Sequence, residues 1–526
     1  MREKSVSKVL LSLLLVISIA LGIFFRLTHL DRKIYWVDET FTFLWLSGYS
    51  KVEVAEQIYN HPPVSIEALN KYQRINAEKT FIDTLNQLEP QHPPLYYSLA
   101  RLWSQLFGKS IADVRRFSAV VSLLAIPCLY FLALELFRSK TTALVAIALF
   151  SVSPFHLLYA QEARQYGLWT TTIALSSWLL LRALRLQNLS SWCWYAASVA
   201  ICLYTSVNSV LLIIGYSLYV LLKESFRLNR RTIGAAVSCL AATIAYIPWL
   251  IKLNQMNFDT VSWTGQSFGL PLLAGKWAAN GVRLFFDVFS FDGSTPIRQI
   301  LWLAPAGIAL LLLIEYAVYY LVKNTQKTVW LFVLTLIFTT FLCLAIPDLL
   351  SGGRRSGVSR YLIPSLIGVQ LAVSFLLGSK IIRSTTSIKI RLWRAIFAGT
   401  IIAGIVSCAV ISPAEVWWNK GSTYANNIVA IATTINSTPN QLIISDADVI
   451  PILSLSHRLD ATAKIILPNQ PSSLKEIENL TNFDNIYLFQ PSLSLKSYIV
   501  QESDHLRLTP LYPPVDPILW QIQQVH

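Results

Sequence analysis

Apolar runs of membrane-crossing length recur along this chain as far as residue 412, and they leave it few ways to fold. In hydrocarbon a backbone must satisfy its own polar groups, and an isolated run of about 20 residues does so as a helix. Such runs cover roughly 9–27, 117–137, 141–158, 166–185, 192–206, 207–222, 232–251, 299–322, 328–347, 360–379 and 395–412. The expectation is an α-helical polytopic membrane protein with about eleven transmembrane helices. The boundary within 192–222 is the least distinct, because Ser206, Asn208 and Ser209 interrupt the run. With 54% hydrophobic and 14% charged residues, and a mean hydropathy of +0.49, the chain fits no soluble class.

Charge tests this layout. The formal net charge is +14, which in a soluble chain would suggest nucleic acid. Here the basic residues fall in short connections: Arg138 and Lys140; Arg182 and Arg185; Lys223, Arg227, Arg230 and Arg231; Lys323 and Lys327; and Lys380 through Arg394. That is the positive-inside pattern, so topology accounts for the excess and nucleic acid is not an expected partner. The basic tail with Arg2, Lys4 and Lys8 places the N-terminus in the cytoplasm. The first run is longer than a signal-peptide core and lacks an evident small-residue cleavage site, so it is read as a helix. The six cysteines all lie within apolar runs without C-x-x-C spacing, as small packing residues rather than disulfide or metal frameworks.

Four segments then share the extracytoplasmic face. The first loop, 28–116, carries Asp38-Glu39 and two His-Pro-Pro triplets at His61 and His92. Its stretch Pro94–Phe107 is short and amphipathic, which suits a helix lying on the membrane surface. The second segment is Tyr159–Tyr166, with Glu162 and Arg164. The third, 252–298, is aromatic-rich and holds Trp263, Trp277, Arg283, Asp287 and Asp292. The fourth, Ser351–Arg360, places Arg354, Arg355 and Arg360 among glycines, against the charge rule that the other connections obey.

Beyond residue 412 the composition changes. An amphipathic stretch at 414–435 leads to strand-like Gln441–Ser445, Lys464–Leu467, Asn485–Gln490 and Leu506–Leu511, with helical character near 449–459, 471–482 and 494–502. The division expected is a membrane catalytic domain over 1–412, including loop 28–116, and a small extracytoplasmic α/β domain over 413–526. No G-x-G-x-x-G follows a strand, and no internal repeat of the transporter kind is present.

Asp38 and Glu39 lie near a membrane surface among Tyr35, Trp36, Phe41 and Trp45, which suits acid/base or cation chemistry; a helix cap is the plainer alternative. Glu162 and Arg164 could simply pair with each other, or Arg164 could meet an anionic headgroup. Arginines among glycines at a helix start make a phosphate cradle, with an interfacial anchor as the rival reading. His92 could donate to phosphate or join the acids at a metal, although Pro93-Pro94 also reads as an ordinary helix start. Asp446 and Asp448, at a strand end, read first as helix caps. Asn436 and Asn479 head Asn-x-Thr triplets, glycosylation candidates if this domain faced an endoplasmic lumen.

Four motifs in order carry a resemblance: Trp36-Val37-Asp38-Glu39-Thr40, His92-Pro93-Pro94-Leu95-Tyr96-Tyr97, Tyr159-Ala160-Gln161-Glu162-Ala163-Arg164 and Ser359-Arg360-Tyr361-Leu362-Ile363-Pro364. Together they resemble the GT-C integral-membrane glycosyltransferases, in particular the dolichyl-phosphate-mannose–protein mannosyltransferase superfamily with its aminoarabinose transferase-like members (glycosyltransferase family 39-like). The likeness covers about 1–412. It implies transfer of a sugar from a polyprenyl-phosphate donor to a lipid, glycan or protein acceptor, with inversion, on the extracytoplasmic face of a membrane, most naturally a bacterial plasma membrane. Asp38 would then be the base and Glu39 its support. Arg164, Arg360, Arg355 and His92 would serve the donor phosphate, with Glu162 and Tyr159 in support. Some members of the class use a divalent metal cation and others do not, so no cofactor is assigned. Two rivals remain: a lipid-linked glycan ligase or polymerase, which would also want extracytoplasmic arginines, and a transporter or flippase of lipid-linked sugars. The last would call for ionisable residues at the bilayer midplane, whereas the charges here crowd one interface.

Overall fold

The computed structural model describes residues 2–75, 79–256, 258–289, 297–383, 387–420, 423–476, 483–502, 506–512 and 517–524. Asp292 and the Asn479 triplet lie outside them. The chain's contacts divide into two compact units: 1–31, 89–96 and 114–414 form one, and 32–88, 97–113 and 415–526 the other.

The first unit is helical, and each expected span coincides with a helix. Among the described residues, Ile111–Phe137, Arg230–Leu253, Leu301–Asn324, Lys327–Ser351, Ser359–Ile381 and Ile388–Ile411 are long and apolar enough to cross a membrane. Lys140–Ser151 and Pro154–Ala160 add a seventh span if the pair, bent by 58°, is counted as one. The bend falls where Ser153 and Pro154 interrupt the backbone ladder. The other four expected spans fall on Arg2–Leu27, Tyr166–Leu186, Leu189–Thr205 and Ser209–Lys223. Two of these are short for a membrane crossing, at 17 and 15 residues. Tyr166–Leu186 carries buried Thr170, Thr171, Thr172, Ser176 and Ser177. The chain is an integral membrane protein.

Close helix crossings fix this unit. A side chain at Gly22 would collide with the Ser151 carbonyl, and one at Gly404 with that of Val152. Arg26 uses the first approach: its guanidinium donates to the carbonyls of Gly22 (2.8 Å) and Phe150 (3.1 Å), so the buried charge lies against the negative end of helix Lys140–Ser151. Cys202 and Cys408 are buried; Cys193 and Cys343 lie on exposed faces of spanning helices and pack against no core, a departure from the expected role. All six are free thiols.

The second unit is an α/β body. Its sheet has the order β1-β3-β2-β4-β6-β5, with β1 Val64–Ser65, β2 Gln441–Ile444, β3 Lys464–Ile466, β4 Asn485–Phe489, β5 Leu506–Tyr512 and β6 Leu519–Gln524. β2 pairs in parallel with β3 and β4, and the other pairings are antiparallel. Alternation along β2 sends Ile443 to one apolar layer, with Ile34, Leu44 and Ile431, and sends Leu442 and Ile444 to the other, with Leu488 and Leu495. The first layer draws on the 32–88 segment, whose β1 also joins the sheet edge. Residues 32–88 of the first loop therefore fold with the C-terminal strands. Asp448 caps Val449–Ser456 by accepting from the Ile450 N–H (3.0 Å) and pairs with Lys51. Asp446 accepts from the Ser492 N–H (2.8 Å). Asn436 is committed internally, donating to the Arg458 carbonyl (2.8 Å) and accepting from the Asp460 N–H (3.1 Å). His61 is exposed in its turn.

Candidate active site

Trp36 leaves the preceding segment extended (φ −124°, ψ 171°), and helix Val37–Ser47 starts directly after it. Asp38 and Glu39 thus occupy the first helical turn, where acidic side chains meet the positive end of the helix favourably. Asp38 is half-buried and Glu39 fully buried. Opposite Glu39 is Lys420: its ammonium lies 3.4 Å from Glu39 Oε2, donates to the Ile34 carbonyl at 3.0 Å, and stands 5.7 Å from the Trp36 ring. Sequence reading missed Lys420, a single lysine after Trp417-Trp418-Asn419 with no motif around it. The two acids are therefore unequal. Glu39 is engaged by a buried cation, and Asp38 is the more accessible carboxylate.

A buried pair is costly to half-remove. Lys420→Met takes away the cation beside Glu39, and should destabilise this unit by about 3 kcal/mol, read as a lowered Tm in detergent. Glu39→Gln added to Lys420→Met should recover most of the loss. A single variant as stable as wild type would contradict the pairing.

The first unit assembles the other candidates. The segment Tyr159–Tyr166 is buried throughout, and Gln161 ties it to the end of the first helix by donating to the carbonyls of Phe25 (2.8 Å) and Thr28 (3.0 Å). A short connection that looked interfacial is thus packed inside. Arg164 is buried and its Nη2 lies 3.3 and 3.4 Å from the two ring nitrogens of His92. A guanidinium only donates, so one imidazole nitrogen accepts and the other N–H remains a donor. The His92 turn is held by its own N–H to the Glu89 carbonyl (2.9 Å) and by Trp249, which donates to the Pro90 carbonyl (2.9 Å). Burial first, then the positive charges of Arg164 and Arg360, hold His92 well below the usual histidine value, so it is neutral at physiological pH. Three residues from separate motifs meet electrostatically at one point.

Arg360 is braced by aromatic rings: its guanidinium carbon lies 5.7 Å from the centroids of Trp263 and Tyr361 and 5.9 Å from that of Tyr166. Tyr166 in turn contacts Tyr159, centroid to centroid 5.2 Å. Arg354 shares the Trp263 ring at 4.8 Å. Helix Leu270–Arg283 adds two cations that sequence reading had given no role. Lys276 is pushed down by burial, then by the charges of Arg283 and Arg354. Arg283 is pushed down by burial against the opposing pull of Asp287 and Tyr159. Like charges crowded into a partly desolvated place make a site that favours an anion.

Arg355 has a carboxylate partner. Its Nη1 lies 3.3 Å from the buried Asp348, which also accepts from the Ser356 N–H (2.6 Å) and hydroxyl (2.8 Å). Gly352 and Gly353, at φ +75° and +149°, make the turn that returns the chain to Asp348. Arg355, expected on the donor phosphate, is thus held by Asp348 in the loop that presents Arg354 and Arg360. Among the described residues no three His, Cys, Asp or Glu side chains gather as a metal-binding set, and Glu39 already has a cation beside it.

Residues 91–251, which span the His92 and Arg164 motifs, match the dolichyl-phosphate-mannose-protein mannosyltransferase family. Among curated proteins no sequence matches the chain. In solved structures it is similar to ArnT from Cupriavidus metallidurans bound to undecaprenyl phosphate, at 12% identity and a TM-score of 0.53 over 96% of this chain and 97% of that one. The apo form of the same protein matches equally.

The chain has a GT-C fold.

The archaeal oligosaccharyltransferase AglB from Archaeoglobus fulgidus, in complex with an inhibitory peptide and a dolichol-phosphate, gives a TM-score of 0.51 at 11% identity, over 98% of this chain and 74% of that one. At such identities the GT-C likeness is one of fold, and residue roles rest on the geometry above.

Proposed function

We propose that this protein transfers a sugar from a polyprenyl-phosphate-linked donor to an acceptor on the extracytoplasmic face of a bacterial plasma membrane, with its N-terminus in the cytoplasm. The carrying observation is that Arg164 and Arg360 meet at neutral His92, that Arg360 shares the Trp263 ring with Arg354, and that Lys276 feels the charges of Arg354 and Arg283. A lipid phosphate leaves with growing negative charge, and fixed guanidinium groups stabilise that charge as the bond to the sugar breaks. Arg164 and Arg360 take the phosphate oxygens, and His92 donates its remaining N–H to them. Arg355 keeps the loop closed through Asp348, while Tyr159 and Glu162 hold the surrounding segment. Asp38 accepts the proton of the acceptor hydroxyl as its oxygen attacks the anomeric carbon, and Glu39, balanced by Lys420, supports the helix turn that presents it.

The likeness to GT-C proteins captured with undecaprenyl phosphate and with dolichol-phosphate supports a lipid phosphate as the donor's carrier. Direct displacement inverts the anomeric centre. The product formed from a donor of known configuration should show the opposite anomer by NMR. Retention would contradict a single displacement assisted by Asp38.

A further inference from the structure

Helix Tyr166–Leu186 begins two residues after Arg164 and runs about 30 Å to its other end. There, at the end that the positive-inside rule assigns to the cytoplasm, lies a cavity of about 790 Å³. It lies where helices Ala125–Phe137, Tyr166–Leu186, Ser209–Lys223 and Ile297–Asn324 end and where Lys140–Ser151, Arg230–Leu253 and Lys327–Ser351 begin.

Its charge is organised. Arg138, Arg185, Lys223 and Arg231 line it. Beneath them are two carboxylates. Glu135 accepts two bonds from Arg185, at 2.6 and 3.1 Å, and one from Arg138 at 3.3 Å. Glu224 lies 3.4 Å from both Lys223 and Arg231 and accepts from Asn229 at 2.7 Å. The Glu135 and Glu224 side chains are only 11% and 10% exposed, whereas those of Arg138 and Arg231 are 66% and 43% exposed. The acids fix the cations from within, and the guanidinium ends face the opening. Four cations against two carboxylates leave a surplus of positive charge. The remaining wall is mixed: Leu181, Leu184, Val329 and Phe375 are apolar, and Thr142 and Ser379 offer hydroxyls.

We propose that this cavity binds the phosphate headgroup of an anionic phospholipid from the cytoplasmic leaflet, with the acyl chains along Leu181, Leu184, Val329 and Phe375. The shared chemistry is a phosphate anion meeting guanidinium forks. Two observations favour a lipid over free phosphate: the volume far exceeds one phosphate, and helices long enough to cross a membrane, Arg230–Leu253 and Lys327–Ser351 among them, line the cavity. Basic pockets of this kind on the cytoplasmic side are suited to anionic headgroups. The site is separate from the proposed sugar transfer and stands or falls without it.

The test titrates the purified protein, in neutral detergent, with phosphatidylglycerol, phosphatidylcholine or inorganic phosphate, and reads bound lipid by native mass spectrometry and the shift in Tm. Arg138→Gln with Arg231→Gln removes the surplus charge while Arg185 still pairs Glu135 and Lys223 still pairs Glu224. Wild type should prefer phosphatidylglycerol, and the double variant should lose that affinity by about tenfold to thirtyfold, given roughly 1 kcal/mol per charge. Arg138→Lys with Arg231→Lys should restore most of it, which separates lost charge from a lost fold. Equal binding of the two lipids, or unchanged binding by the glutamine variant, would overturn the proposal. Displacement of the lipid by millimolar inorganic phosphate would make it a free-anion site and overturn the lipid assignment.

Discussion

Asp38→Asn should reduce sugar transfer by roughly 10²–10⁴-fold, the range that a positioned general base contributes. The substitution keeps volume and hydrogen-bonding capacity but removes the ability to take a proton. Asp38 is the half-buried member of the pair, in the first turn of Val37–Ser47, while Glu39 is buried against Lys420. Because that neighbouring pair is untouched, the variant should insert and melt like wild type. Donor KM should also be close to unchanged, since the acid serves the acceptor. The assays are initial rates of transfer and Tm on the same preparations. Near-normal turnover by Asp38→Asn would remove the base assignment. An equal loss in Glu39→Gln, at unchanged Tm, would show that the two acids share the chemistry.

Arg360→Ala should raise the donor KM or lower donor kcat/KM by about 10- to 100-fold, as expected for a charged hydrogen bond worth roughly 1.5–3 kcal/mol. Arg360→Lys should lie between. Lysine keeps the charge but loses the fork, and it stacks less well on Trp263, Tyr166 and Tyr361 than a planar guanidinium. Losing one cation should also relieve His92, which feels both Arg164 and Arg360, so its imidazole should titrate at higher pH in the variant. Donor kinetics together with the His92 ring resonances check both effects. Equal loss in the alanine and lysine variants would exclude a two-pronged contact, and an unchanged donor KM in both would remove Arg360 from the donor site.

Most of the helical scaffold was legible because membrane helices announce themselves by length and apolarity. The expected runs all correspond to helices, yet polar Thr170–Thr172 and the short Leu189–Thr205 and Ser209–Lys223 separate a helix's presence from its fitness to span. Strands β2 to β5 were visible as short apolar runs. β1 is two residues long, and β6 reads Leu-Trp-Gln-Ile-Gln-Gln, too polar to stand out. Their partners lie far away in sequence, and the joining of 32–88 to the C-terminal strands depends on that pairing. At the candidate site, motif residues His92, Arg164 and Arg360 converge, whereas Lys276, Arg283 and Lys420 carried no local signature. The pairing of Arg355 with Asp348 carried none either. Its partner Asp348 lies across a glycine turn that only left-handed backbone geometry can close.

The most direct test of lipid-phosphate sugar transfer is to measure loss of radiolabelled sugar from purified donors by the wild-type protein, with polyprenyl-phosphate monosaccharides and polyprenyl-pyrophosphate oligosaccharides in parallel. The account predicts turnover of a polyprenyl-phosphate monosaccharide, strongly reduced in Asp38→Asn, with little use of the pyrophosphate oligosaccharides. Turnover of the oligosaccharide donors alone would contradict it in favour of a ligase. Tight binding of lipid-linked sugars by folded protein, with no sugar released from any donor, would contradict it in favour of a flippase.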